Sequence, residues 1–261
     1  MHSTPSDPGP GWNRLVGSIR FVASAAAVAY AIRCLSLGHY GGATLFVGLG
    51  AAVAIVPEFV ERRRRRAIYR SGNVRRILET AFLETGGESE NSVPLKRALA
   101  LAALGVTGPA RLALQSRRRR PLSDHEREEL LIVEALVEAF EGEHTKAHRR
   151  VAALDLLPLP SGVAERRSRA IRESVAAIVR AFDGRAEPND LELLVRGPEL
   201  MPVLYWVTRY AAAAVCAQRG ASEAVQTLLA GAPAWPEESA LALLHRDLLG
   251  DREEVPTRRV A

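Results

Sequence analysis

Residues 135–142 read Ala135-Leu136-Val137-Glu138-Ala139-Phe140-Glu141-Gly142, and the spacing of three of them decides the fold. Ala135 and Ala139 are four apart, so they share one helix face and leave a seam shallow enough for a neighbouring helix to approach. Gly142 supplies the left-handed residue on which helices commonly end. The same Ala-x3-Ala-x2-Gly pattern recurs at Ala98/Ala102/Gly105, Ala177/Ala181/Gly184 and Ala213/Ala217/Gly220. The glycines are 37, 42 and 36 residues apart (142−105, 184−142, 220−184), the period of stacked helical pairs. A small residue returns early in each of three second helices, at Ala110, Ala147 and Ala224. A proline follows each glycine, at Pro121, Pro158, Pro198 and Pro236, where it is expected to stop the second helix.

This arrangement resembles the tetratricopeptide repeat, a helical hairpin of about 34 residues with small residues in both helices, a turn glycine and a closing proline. The resemblance covers residues 92–250. It departs from the family in lacking the tryptophan early in the first helix. Leu101, Glu138 and Cys216 stand in three units where a tyrosine precedes the turn, and Val179 or Arg180 in the other, depending on register. The resemblance implies an α-solenoid-like stack that presents a concave surface to a protein or peptide and carries no catalytic chemistry of its own.

The first 66 residues differ in kind. Phe21 to Ile32 carry no charge, and Cys34 to Pro57 carry none apart from His39. The second run is 24 residues (57−34+1), enough for a helix across a hydrocarbon core of roughly 30 Å. Leu15 to Leu37 reach a similar length if Arg20 and Arg33 extend to the interfaces. Between the runs, Gly38-His39-Tyr40-Gly41-Gly42 reads as a turn. Ala23, Ala27 and Ala31 form a ladder that could pack on Gly48 and Ala52. The economical reading is a two-span transmembrane hairpin over residues 15–60. A single span with an interfacial first helix, and a signal peptide cleaved after Ala29-Tyr30-Ala31, are the alternatives.

Arg62-Arg63-Arg64-Arg65-Arg66 directly after the second run places the remainder on the cytoplasmic side of a membrane. Arg117-Arg118-Arg119-Arg120 form a second block. Both could contact anionic lipid headgroups. Nucleic acid fits less well, because neither block has interleaved aromatic residues for stacking on bases. Lys96 and Lys146 are the only lysines among 35 basic residues. That preference for arginine points to a G+C-rich, bacterial genome and so to an inner-membrane location.

Hydrophobic residues make up 48% of the chain and aromatic ones only 5%, so the core is built from Ala, Leu and Val. Leu130, Val133, Leu136, Val137 and Phe140 recur at helical spacing, and no stretch alternates as a strand would. Ser123 or Asp124 can cap that helix, with Glu126 placed for a capping box. The fold class is all-α.

Catalytic signals are sparse. Cys34 and Cys216 lie on different elements. His144 and His148 share a helix face but lack the acidic companion of a zinc-protease motif. No phosphate loop, dinucleotide fingerprint or nucleophile elbow occurs, so no enzyme, metal or cofactor is expected. Tyr205, Trp206, Tyr210 and Trp235 concentrate much of the aromatic content in the last unit, with Arg209 and Arg219 nearby. Tyr205, Trp206, Arg209, Tyr210 and Trp235 are either a peptide-binding anchor or the cap of the stack.

The expected organisation is a disordered 1–14, a transmembrane 15–60, a basic linking segment 61–91, a repeat domain 92–250 and a disordered 251–261. The expected function is a membrane-anchored scaffold or adaptor. The alternative is a regulatory membrane protein whose Arg blocks bind anionic lipid or nucleic acid.

Overall fold

Gly38 interrupts the longest uncharged run. The computed structural model describes residues 22, 25–83, 92–116 and 121–250, and all its regular structure there is helical. The chain divides into two compact units, Met1–Arg66 and Ala67–Ala261. In the first, residues 25–36 form helix α1, and α2 begins at Tyr40 and runs to Arg70. The chain reverses at Gly38, whose φ of 76° is left-handed, and the His39 N–H donates to the Cys34 carbonyl at 2.8 Å.

That turn sits inside the run Cys34–Pro57. It leaves α2 an uncharged stretch of 18 residues (57−40+1), about 27 Å at 1.5 Å per residue, diluted by glycine and ended by charge. Among the described residues, no helix is long and apolar enough to cross a membrane. The expected two-span hairpin therefore finds no support in these helices, and part of its first half, residues 15–21 and 23–24, lies outside the described residues. The small-residue packing is present in a different register. Ala27 and Ala31 are buried, but on α2 the inward stripe is Ala43, Phe46, Gly50 and Val53, while Gly48 and Ala52 are exposed. The terminal segments 1–14 and 251–261 also lie outside the described residues.

The second unit opens with the end of α2 and with α3 (Val74–Leu83), which packs on α4. Four helical pairs follow. They are α4 (Ser92–Ala103) with α5 (Thr107–Gln115), α6 (Asp124–Phe140) with α7 (His144–Asp155), α8 (Val163–Phe182) with α9 (Asp190–Leu200), and α10 (Tyr205–Gln218) with α11 (Ser222–Leu229). A final helix, α12, spans Ala240–Leu249.

The four pairs turn identically. Gly105, Gly142, Gly184 and Gly220 have φ of 71°, 74°, 74° and 73°. Each glycine N–H donates to the carbonyl of the motif's second alanine, Ala102, Ala139, Ala181 or Ala217. The next N–H, of Val106, Glu143, Arg185 or Ala221, reaches back to Leu101, Glu138, Arg180 or Cys216. These are the two bonds of a Schellman turn, so the sequence repeat is a repeat of backbone geometry. Before α6, Ser123 and Glu126 form the expected capping box, with the Ser123 N–H donating to Glu126 Oε2 at 2.8 Å and the Glu126 N–H to Ser123 Oγ at 3.3 Å. The proline rule holds less well. Pro198 lies inside α9, in its last turn, where a missing N–H forfeits a single helical bond.

Side chains also repeat across units. The residue six after one turn glycine faces the residue just before the next. Arg111 (105+6) pairs with Glu141 (142−1), its Nε 2.9 Å from Oε1. His148 (142+6) meets Asp183 (184−1) at 3.0 Å. Asp190 (184+6) is within electrostatic reach of Arg219 (220−1), whose guanidinium donates to the Glu187 carbonyl at 3.4 Å.

The first helices form the inside. Helix α4 packs on α6, α6 on α8, α8 on α10, and α10 returns to α4. Ala100, Val133, Leu136, Ala177, Ile178, Val207 and Ala211 are fully buried along this path. The second helices cover them from outside. The concave face expected of an open solenoid is thus filled, because the fourth pair closes onto the first. At the closure the Trp206 indole N–H donates to the Arg70 carbonyl at 3.1 Å. A Cβ on Gly72 would lie 2.1 Å from Pro233, so only glycine fits there.

Candidate functional site

Helices α1 and α2 are packed inside out. A water-facing pair of helices buries its large apolar residues and exposes small or polar ones. Here Ala31 and Ala43 are inside, at 3% and 4% exposure, and the large residues are outside: Tyr40 is 72% exposed, Leu45 65% and Phe59 63%. Fourteen exposed large hydrophobic residues lie between Val22 and Val60, against six in all the described residues of the second unit. Each would gain about 1.5–3 kcal/mol on leaving water completely. The Tyr30 and Phe46 rings stack at 5.3 Å between centroids, tying the two helices together near the turn.

Arg62 to Arg66 lie on α2. Five consecutive residues at 100° each sweep the whole helix circumference, so the block is a collar of positive charge. Arg65 is half-buried and pairs with Glu61 one turn back, Nε to Oε1 3.1 Å. Arg117, Arg118, Arg119 and Arg120 lie outside the described residues.

The aromatic residues of the last pair converge. Trp206 stacks edge-on against Tyr205 and Trp235, with centroids at 5.1 and 5.6 Å. Tyr210 meets Trp235 at 6.0 Å. Trp206 is 3% exposed and Tyr210 0%, while Tyr205, Arg209 and Trp235 are half-buried. Their polar atoms are engaged within the unit. Arg209 donates to the Leu228 carbonyl (2.5 Å), the Thr227 carbonyl (3.2 Å) and the Tyr205 hydroxyl (2.8 Å). The Trp235 indole N–H donates to Tyr210 Oη at 2.7 Å, and Tyr210 in turn contacts His245 Nδ1 at 2.8 Å. Burial pushes the Tyr210 phenol up to about 12, so it stays a neutral hydrogen-bond donor.

His144 and His148 both turn toward Asp183. His148 Nε2 lies 3.0 Å from Oδ2, and His144 Nδ1 lies 4.0 Å from Oδ1. His144 Nδ1 is buried without a hydrogen-bond partner. Arg185 Nε occupies the same carboxylate at 3.2 Å, and its positive charge opposes a cation there. The bond from His148, then the charge of Arg185, holds Asp183 below the usual carboxylate range. Among the described residues no group of three or more His, Cys, Asp or Glu is arranged to hold a metal.

Sequence reading missed two contacts. Ser239 Oγ donates to the Leu104 carbonyl at 2.6 Å, and the Ala240 N–H donates to the Gly105 carbonyl at 2.9 Å. Ser239 is a recognisable helix cap, but its partner is 135 residues away and nothing in the pattern announces it. No protein-family model, curated protein or solved structure matches this chain.

Proposed function

We infer that the protein is a membrane-associated, non-catalytic adaptor. In this reading α1 and α2 embed in a lipid bilayer as a single hairpin, and the second unit offers a protein or peptide a helical surface beside it. The observation that carries it is the inverted packing of α1 and α2, with small residues inside and large apolar residues outside. Small-residue contacts between helices and large residues toward the surroundings are the pattern that lipid favours. The Arg62–Arg66 collar supports an orientation with the second unit on the cytoplasmic side. We read the four pairs as tetratricopeptide-like, with the aromatic end as their cap. The partner surface then falls to the outer helices, where Leu112 on α5 and Val195 on α9 are exposed.

The deciding experiment is carbonate extraction of membranes containing the full chain. Native protein is expected to stay with the membrane, and Leu45→Arg with Val56→Arg to release it, since each arginine costs roughly 2.5–3.5 kcal/mol in the core of a bilayer. Complete extraction of the native protein would remove the reading. A second reading rests on the collar: a regulatory protein that binds anionic lipid or nucleic acid through Arg62–Arg66. It requires binding that weakens steeply with salt and that five Arg→Gln changes abolish.

A further inference from the structure

We propose that the rim of the aromatic cap, formed by Arg70, Tyr205 and Arg209, binds a phosphate monoester. The inference goes beyond the adaptor reading and is independent of how α1 and α2 are accommodated. It rests on two arginines that share one aromatic ring and lack a counter-charge.

Four arginines of the second unit are buried or half-buried among the described residues: Arg150, Arg172, Arg180 and Arg209. Three of them bond a carboxylate, Arg150 that of Glu138, Arg172 that of Glu128 and Arg180 that of Asp190. That is the ordinary requirement for a charge withdrawn from water. Arg209 departs from it. Its Nε donates to the Leu228 carbonyl, Nη2 to the Thr227 carbonyl and Nη1 to the Tyr205 hydroxyl, and none of these carries a formal charge.

The second cation is Arg70. Its guanidinium carbon and that of Arg209 each lie 5.3 Å from the centre of the Tyr205 ring, so the two are at most twice that distance apart. The fold fixes this approach: the Arg70 carbonyl accepts the Trp206 indole N–H at 3.1 Å, and Gly72 lies against Pro233. No carboxylate among the described residues bonds the Arg70 side chain. The acidic groups of the surrounding elements are placed elsewhere. Glu79 on α3 is held by Arg75 at 3.0 Å, and Glu223 stands in the first turn of α11, at the other end from Thr227 and Leu228. Glu237 and Glu238 are exposed in the segment before α12. The carbonyl ends of α2 and α11 offset only part of the charge, about half an elementary unit each against two full cations.

What remains is a set of donors. A guanidinium has five N–H groups, so Arg209 keeps one on each terminal nitrogen. Tyr205 Oη accepts from Arg209, which leaves its own hydrogen to donate. Arg70 is exposed, and its fork can turn from the ring to a ligand at that hydroxyl. Donors from three side chains suit the three terminal oxygens of a phosphate monoester. A carboxylate offers two oxygens in one plane and is matched by a single fork.

The test is isothermal titration of the full chain, in neutral detergent at fixed ionic strength, with glycerol 3-phosphate and with acetate. Saturable binding of the phosphate and none of the acetate is expected. Arg70→Gln, which keeps the backbone contact to Trp206, should weaken binding roughly tenfold or more, and Tyr205→Phe roughly threefold. Arg246→Gln on α12 should change nothing, and neither should replacement of Arg62 to Arg66 by glutamine. Dioctanoyl phosphatidic acid presents the same headgroup on a lipid. Arg70-dependent binding of it that is roughly tenfold tighter assigns the site to a lipid headgroup, and equal affinity assigns it to a soluble monoester. Three results would overturn the proposal: no saturable phosphate binding, acetate bound as tightly as phosphate, or binding that survives Arg70→Gln and disappears with the Arg62–Arg66 changes.

Discussion

Gly105 and Gly142 hold the same left-handed backbone, φ 71° and 74°, in different surroundings. A Cβ on Gly142 meets nothing within 4 Å, whereas one on Gly105 would sit 2.9 Å from the Leu241 backbone nitrogen. Gly142→Ala is expected to cost about 1–2 kcal/mol, the penalty of an L-residue in that region. Gly105→Ala should cost about 1–3 kcal/mol more, because backbone must move to admit it. Urea midpoints of the two variants measure the difference. Equal midpoints would mean that the α12 contact contributes nothing to stability.

Asp190 makes a second residue-scale case. Burial alone would raise its carboxyl, but bonds from Arg180 (Nε to Oδ2 3.0 Å) and from the Glu187 N–H (2.8 Å) hold it below the ordinary value. A depressed carboxylate stabilises the fold above its unfolded value, near 3.9, and loses that contribution as pH falls through the folded value. Glu141, held down mainly by its hydrogen bond from Arg111, acts in the same direction. Stability should therefore drop steeply below about pH 4. Asp190→Asn should flatten that slope and cost about 2–3 kcal/mol at neutral pH, less than a fully buried pair would because Arg180 is partly exposed. Chemical denaturation at pH 3 to 7 tests both.

At the scale of elements, the capping box at Ser123 is a local device that sequence states outright. Ser123→Ala should cost about 1 kcal/mol, and Ser123→Asp should retain most of the stability, as thermal melts would record. The four glycine turns were equally legible, since the left-handed residue and its two backbone bonds require only nearby atoms. Element ends were read less well where local rules compete. Pro198 was expected to close a helix and instead sits in the last turn of α9, where its loss of one hydrogen bond is tolerable. The turn read at Gly38 to Gly42 is present, with Gly38 left-handed and α2 starting at Tyr40, and it shortens the uncharged run of Cys34 to Pro57 that α2 keeps. The inward stripe of α2 lies at Ala43, Phe46 and Gly50, not at Gly48 and Ala52, because rotation about the helix axis is set by the partner helix, not by composition.

At the scale of the whole second unit, closure of the ring is the main structural fact. Leu241 is fully buried at the junction, and Leu241→Ala should cost about 2–5 kcal/mol. Loss of hydrogen-exchange protection in α4 as well as α12 would mark the residue as part of the closure.

The sequence by itself determined that the chain is helical, that four pairs repeat with a common turn, and that its first 60 residues are unusually apolar. Each of these follows from residues within a few positions of one another. Whether the array stays open or closes depended on contacts such as Ser239 with Leu104, Trp206 with Arg70 and Pro233 with Gly72. The same holds for the partners of the aromatic end, where Trp206 donates to the Arg70 carbonyl, Arg209 to the Leu228 carbonyl and Trp235 to the Tyr210 hydroxyl. Such pairings join residues more than a hundred positions apart, or side chains whose rotamers are chosen by packing. A repeating pattern records how each pair is made, and the small rotation from pair to pair, summed over four of them, decides where the last one lands.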